Sequence, residues 1–156
     1  MEDKTNVMRI LDQKKVQYKG RYYGDTDAIS ATEVAEVLGQ DVSTIYKTLI
    51  SIGKSKKYYV FIVPADKELN LKKAAKAVGE KSIEMIKSKE LLPLTGYIHG
   101  GCSPIGMKKF FKTTIDSSAE KLESICISAG KIGYQVELSL NDLKRIINLD
   151  VKDITD

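Results

Sequence analysis

Four glycines, one proline, one of the two cysteines and the only histidine of the chain fall between Leu94 and Gly106, in the run LTGYIHGGCSPIG. That composition suits a shaped loop rather than a helix or a regular strand, and the adjacent Gly100 and Gly101 let a backbone come close to a ligand with no Cβ in the way. N–H groups fixed in such a loop can hold a carbonyl or a developing oxyanion, which is the chemistry of acyl transfer. His99 has no acidic or nucleophilic neighbour in sequence apart from Cys102. It is therefore either a proton-transfer group or a solvated ring, and the near-neutral titration of histidine as a residue type does not choose between them. Cys102 directly follows the glycine pair. It is a nucleophile if its surroundings favour the thiolate, and a small loop filler if they do not.

A second candidate stands on a strand. Ile45 to Ile52, IYKTLISI, is rich in β-branched and aromatic residues, and a period of two puts Lys47 on one face with Ile45 and Leu49. A lysine on an apolar face either meets an anion or snorkels its ammonium to water. Three basic clusters, Lys54 to Lys57, the lysines after Leu71, and Lys108 to Lys112, read as solvated faces or as phosphate contacts; Phe110 and Phe111 within the last add the option of stacking on bases. One histidine and two distant cysteines give no zinc spacing, and SAGKIG at Ser128 to Gly133 lacks the spacing of a phosphate-binding fingerprint. No metal and no cofactor is expected.

The elements that must position these groups are legible from periodicity and caps. Thr5 or Asn6 starts a helix with Val7, Ile10 and Leu11 on one side, ending near Lys15, and Val16 to Tyr23 alternates as a strand. Ser30 and Glu33 form a capping box for a helix that Gly39 ends. Ile45 to Ile52 and Tyr58 to Pro64 make a hairpin. Asn70 caps a helix from Leu71 to Val78, with Leu71, Ala74, Ala75 and Val78 as its buried stripe, and Gly79 stops it. Lys81 to Ile86 is a short strand, Ser88 opens a short helix that Pro93 closes, and Thr113 to Asp116, Ser124 to Ser128 and Tyr134 to Leu138 are strands. Ser139 caps a last helix through Ile147. Strands and helices mix without regular alternation, so the fold class is α+β with a mixed sheet.

The 156 residues suit one domain, 1–156, able to bury roughly two-thirds of its unfolded surface. The hydrophobic share of 42% and charged share of 29% are those of an ordinary globular protein. A net charge of +4, from 25 basic and 21 acidic residues, permits a polyanionic partner without requiring one. Two cysteines make no disulfide framework, the charged Met1 to Lys15 has no signal-peptide core, and the longest apolar run, Tyr58 to Ala65, is far short of the ~20 residues of a membrane span. A reduced cytoplasmic compartment and no membrane are expected.

Three motifs in order, YKTL at Tyr46 to Leu49, TGYIHGGCSPIG at Thr95 to Gly106 and SAGKIG at Ser128 to Gly133, together with the LNLKKAAKAVG helix at Leu69 to Gly79, resemble the YbaK/EbsC family of Cys-tRNA(Pro) deacylases, related to the editing domain inserted in bacterial prolyl-tRNA synthetases. The resemblance implies a compact, barrel-like, mostly antiparallel sheet surrounded by helices, and cleavage of the ester between a mischarged amino acid and the terminal adenosine of a tRNA. It implies that Lys47 holds the aminoacyl-adenosine end with Thr48 beside it. It further implies that the backbone of the Gly100 and Gly101 pair, Gly101 above all, faces the substrate, and that Ser128 and Tyr23 line the pocket. Three positions depart from the family pattern: Gln135 stands where relatives often carry an aspartate, Ser30 aligns with a pocket phenylalanine, and Cys102 takes a usually apolar place. The implied partners are tRNA(Pro) and prolyl-tRNA synthetase. An editor of another amino acid, such as Ala-tRNA(Pro), and a non-catalytic tRNA-end or synthetase-binding module remain as alternatives.

Overall fold

The computed structural model describes residues 4–156; Met1 to Asp3, which the sequence reading places in the same domain, lie outside the described residues. The chain order is α1 (Asn6–Gln13), β1 (Lys19–Tyr22), α2 (Ala31–Leu38), β2 (Tyr46–Gly53), β3 (Tyr58–Pro64), α3 (Leu71–Val78), β4 (Ile83–Met85), α4 (Ser88–Thr95), β5 (Lys112–Asp116), β6 (Ile125–Ser128), β7 (Tyr134–Leu138), α5 (Leu140–Ile146) and β8 (Leu149–Lys152). One sheet has three strands in the order β1-β7-β6, and the other five in the order β4-β2-β3-β5-β8. Pairing is antiparallel except where β5 joins β3 and β8 in parallel. The α+β class and the mostly antiparallel sheet are as expected. The barrel-like closure is not: among the described residues, backbone pairing joins the two sheets at a single parallel bridge between Ile45 and Cys126, and otherwise they pack through side chains. Because β4 covers only Ser51 to Gly53 of β2 and Ile86 donates to the Ile50 carbonyl, the Tyr46 to Leu49 stretch remains an edge.

Local chemistry explains most of the elements. Thr5, Ser30, Asn70 and Ser139 each accept an N–H from the first turn of the helix they cap, and Ser30 with Glu33 completes the capping box. Each such cap stabilises its helix by about 1 kcal/mol. Period two sends Ile50, Val60, Ile62 and Ile115 into the space between the sheets, where they meet Ile125, Ile127 and Val136 of the small sheet and Val7, Met8, Leu11 and Leu143 of α1 and α5. Phe61, Val63 and Ala74 form a second core beneath α3, and Val34, Ala35, Ile45 and Cys126 a third beneath α2.

Two expectations are corrected, and one strand is added. Leu71, in the first turn of α3, is exposed, and the stripe buries only from Ala74. Pro93 lies inside α4 rather than closing it; the Thr95 hydroxyl donates to the Leu91 carbonyl, and Gly96, at φ +83°, ends the helix instead. Beyond Ile147, where the sequence reading assigned no element, Leu149–Lys152 forms β8 and pairs along β5.

Candidate active site

A cavity of about 270 Å³ opens where the uncovered edge of β2 faces the small sheet. Lys47 and Thr48 come from β2, Ser128 and Gln135 from the ends of β6 and β7, Tyr23 from just past β1, and His99, Gly100 and Cys102 from the glycine-rich loop. These residues, far apart in sequence, converge because hairpin register and the Ile45–Cys126 bridge set β2 beside β6. Among the described residues no aspartate or glutamate lines the cavity, so it has no carboxylate to act as general base.

Lys47 is the one lysine or arginine of the lining. Its side chain is 31% exposed, and its Nζ lies 3.8 Å from an oxygen of Glu68, which is itself 87% exposed. A loose pair with a solvated glutamate contributes little and leaves the charge available. Thr48 adds a neutral group in want of a partner: its buried Oγ1 has none among the described residues. The only other such hydroxyl, on Thr114, lies outside the cavity lining. An unpaired buried hydroxyl costs roughly 1–3 kcal/mol, which a bound ligand would relieve. Thr48→Val, which keeps the shape and removes the orphan, should therefore raise the melting temperature by about 2–4 °C while weakening substrate binding several-fold. A drop in melting temperature would show that the hydroxyl is already satisfied.

The glycine-rich loop behaves differently from the sequence expectation at Gly101. This residue is buried, lies outside the cavity lining, and donates its N–H to the Ile98 carbonyl at 3.0 Å. Its N–H is spent in closing the turn over His99 and Gly100, and a Cβ there would press to 3.3 Å from the Ile132 nitrogen. The neighbouring amides of Gly100 and Cys102 find no partner among the described residues, and both residues line the cavity. Gly100 holds φ +89°, a left-handed conformation that favours glycine. Tyr97 fixes the loop from behind: its hydroxyl donates to the Ile105 carbonyl, and its ring fills the space that a Cβ on Gly130 would take.

Cys102 does not fit a nucleophile. Burial pushes its thiol up to about 12, so it is protonated at neutral pH. His99 is exposed at the cavity mouth, and no carboxylate lines the wall to pair with it. Ser30 is likewise no pocket residue: its Oγ accepts the Glu33 N–H as a helix cap, and the apolar wall at this corner is Ile29, Ala31 and Val34. The sequence carried no periodic signal for Ile29, which lies in a loop.

Gln135 is 4% exposed and held firmly. Its Oε1 accepts from Gln40 Nε2 at 2.7 Å and from Arg21 Nη1 at 3.5 Å, and its Nε2 donates back to Gln40 Oε1 at 3.3 Å. Arg21 has only donors, so the oxygen of Gln135 is the atom turned toward it. Arg21 in turn pairs with Glu137 at 2.5 Å, and hydrogen bonds from Ser124 and Arg21 outweigh burial to hold that carboxyl below its usual range. Neither Gln40 nor Arg21 was legible as a site support.

A family model described as the aminoacyl-tRNA editing domain matches residues 25–146. A protein of Enterococcus faecalis, provisionally named Cys-tRNA(Pro)/Cys-tRNA(Cys) deacylase EbsC, is 44% identical over 99% of this chain and 94% of its own. A proline–tRNA ligase of Thermosipho africanus is 31% identical over 62% of this chain, which spans 19% of that enzyme. The same fold occurs in a crystal structure provisionally described as a trans-editing enzyme for prolyl-tRNA synthetase, with a TM-score of 0.83 and 22% identity over 96% of this chain and 94% of that one. With the motif order, the fold and the matched model in agreement, this chain belongs to the aminoacyl-tRNA editing domain family.

Proposed function

We propose that the protein is a free-standing aminoacyl-tRNA deacylase whose main substrate is Cys-tRNA(Pro). The observation that carries this reading is a cavity with a lysine, unpaired amides and an orphan hydroxyl but no lining carboxylate among the described residues. Such a wall positions and polarises an ester, and leaves the attacking group to the substrate. A cysteinyl ester brings that group: its sulfur bonds to its own carbonyl carbon, the carbon–oxygen bond to the ribose breaks, and the thiol proton ends on the departing ribose hydroxyl. Lys47 holds the phosphate or ribose of the terminal nucleotide, the Gly100 and Cys102 amides face the carbonyl oxygen, and Thr48, Tyr23, Ser128 and Gln135 surround the amino-acid part. Gly101 acts through the turn it closes. The name of the Enterococcus relative supports the cysteinyl substrate.

tRNA(Pro) is the proposed partner, with prolyl-tRNA synthetase as the source of the mischarged ester, and residues 1–156 act as one unit in the cytoplasm. No helix among the described residues is long and apolar enough to cross a membrane. The deciding experiment presents purified protein with tRNA(Pro) carrying cysteine, alanine or proline, with and without the synthetase. Cysteine release far above the uncatalysed rate is expected. Release of alanine alone would make the protein an editor of another ester, and binding without release of any would make it a non-catalytic module. Cys102→Ala should keep turnover within a few-fold of the parent, because the thiol is protonated and only its backbone N–H is used; abolished turnover would restore a protein nucleophile.

A further inference from the structure

Two of the three basic clusters, some fifty residues apart in sequence, meet in the fold. The register that sets Tyr59 opposite Lys112 brings the end of the β2–β3 turn beside the start of β5. Lys57, Tyr58, Phe110, Phe111 and Lys112 then line a groove of about 490 Å³, floored by Tyr59 and Val78, with no acidic residue among its lining. Lys57 and Lys112 are exposed, as are Lys108 and Lys109 beside them. The adjacent phenylalanines divide their work. Phe111 packs on the core and meets the Tyr58 ring edge-on at 5.9 Å, while Phe110 is 67% exposed.

An exposed phenyl ring among lysines offers a face for a base and cations for the flanking phosphates. Glu80, hydrogen-bonded by Ser55 and by the Tyr59 hydroxyl at 2.6 Å, keeps its charge and offsets part of that of Lys57, but it is not among the residues that line the groove beside Phe110 and Lys112. A separate open depression carries four acidic residues, Asp12, Glu123, Glu137 and Asp142. The groove also lies at the far end of β3 from the active-site cavity. Tyr58 lines the groove and Ala65 the cavity, which at ~3.3 Å per residue sets the two about 20 Å apart. Several nucleotides of an RNA strand span that distance.

We propose that the Phe110 groove is a second RNA-contact surface, which binds the tRNA away from its aminoacylated end by stacking a base on Phe110 and pairing phosphates with Lys57 and Lys112. This rests on the tRNA deacylase reading, and supplies affinity to a cavity too small to hold more than the terminal residue. RNA is favoured over a protein partner because the groove joins one exposed ring to two lysines with no carboxylate in its lining.

The test measures binding of uncharged tRNA(Pro) by the full chain at several salt concentrations, and deacylation of both full-length Cys-tRNA(Pro) and a cysteinyl ester of the terminal nucleoside alone. Phe110→Ala should weaken tRNA binding about tenfold. Lys57→Ala with Lys112→Ala should flatten the dependence of log affinity on log salt by roughly two phosphate contacts. Both variants should raise KM on full-length tRNA, keep kcat, leave the nucleoside ester unchanged, and melt with the parent. Parent-like tRNA binding by both variants overturns the inference while leaving the deacylase reading intact. Unchanged tRNA binding with lost binding to prolyl-tRNA synthetase overturns it in favour of a protein surface. A parent that neither binds tRNA nor cleaves the nucleoside ester overturns both readings.

Discussion

Lys47→Ala is expected to lower kcat/KM for Cys-tRNA(Pro) by about 100-fold, the ~2.7 kcal/mol of one preorganised electrostatic group, with the melting temperature nearly unchanged. The size follows from the surroundings. Lys47 is the one lysine or arginine lining a cavity without a carboxylate, and its partner Glu68 is solvated and 3.8 Å away. The charge therefore acts on the substrate rather than on the protein, and its removal costs little stability. Lys47→Met keeps the apolar stem along Ile45 and Leu49 and should lose nearly as much activity as alanine, which separates charge from packing. Lys47→Arg should recover only part, since a planar fork does not reproduce a compact ammonium. Single-turnover rates and melting curves for the three variants check this. Turnover of Lys47→Ala within a few-fold of the parent would remove Lys47 from the mechanism, and a matching loss of stability would make it a packing residue.

The sequence was most informative where structure is local. The Ser30 and Glu33 capping box, the Asn70 cap and Gly79 stop of α3, and the hairpin of β2 and β3 all depend on residues a few positions apart, and they stand in the structure as read. β8 escaped because Leu149 to Lys152 has no strong strand composition and owes its form to parallel pairing with β5. The separation into two sheets escaped for the same reason, since nothing along the chain says that only Ile45 and Cys126 bridge them. The site shows the same division. Lys47 stood out as a cation on an apolar strand face, and Tyr23, Thr48, Ser128 and Gln135 entered through motif resemblance; all five, with Gly100, line one cavity. What spacing cannot show is which amide a loop leaves unpaired. The pair Gly100 and Gly101 is symmetric as text, yet the turn from Ile98 consumes one N–H and frees its neighbours. Gln40 and Arg21 are ordinary surface types in sequence, and only the packing of α2 and β1 against β7 turns them into the brace of Gln135.

Asp116→Ala should be the most destabilising single change outside the apolar core, by about 3 kcal/mol, or near 10 °C in melting temperature. The carboxylate is 3% exposed at the end of β5. Its Oδ1 accepts the Ile154 N–H at 3.0 Å and the Thr155 hydroxyl at 3.3 Å, and its Oδ2 accepts the Ser118 N–H at 3.2 Å. It thereby ties the last residues of the chain to the sheet, where Asn70 and Lys73 of the α3 cap hold the same segment through the Ile154 and Thr155 carbonyls. Burial alone would push this carboxyl up, but the hydrogen bonds from Ser118, Ile154 and Thr155 outweigh it and hold it below the usual carboxylate range. A folded-state pKa below the unfolded ~3.9 means that the stabilisation is fully present above pH 4 and is lost as the pH falls through the folded value. The parent should therefore lose stability more steeply than Asp116→Ala below pH 4, and the two melting curves should converge in acid. Asp116→Asn keeps one acceptor but turns an amide donor toward a backbone N–H, so it should fall between them at pH 7 and show the same flattened acid limb. Thermal or urea melts of the three proteins between pH 2.5 and 7 measure this directly. A constant gap between parent and alanine variant across that range would mean that the ionised carboxylate is not what holds the C-terminal segment.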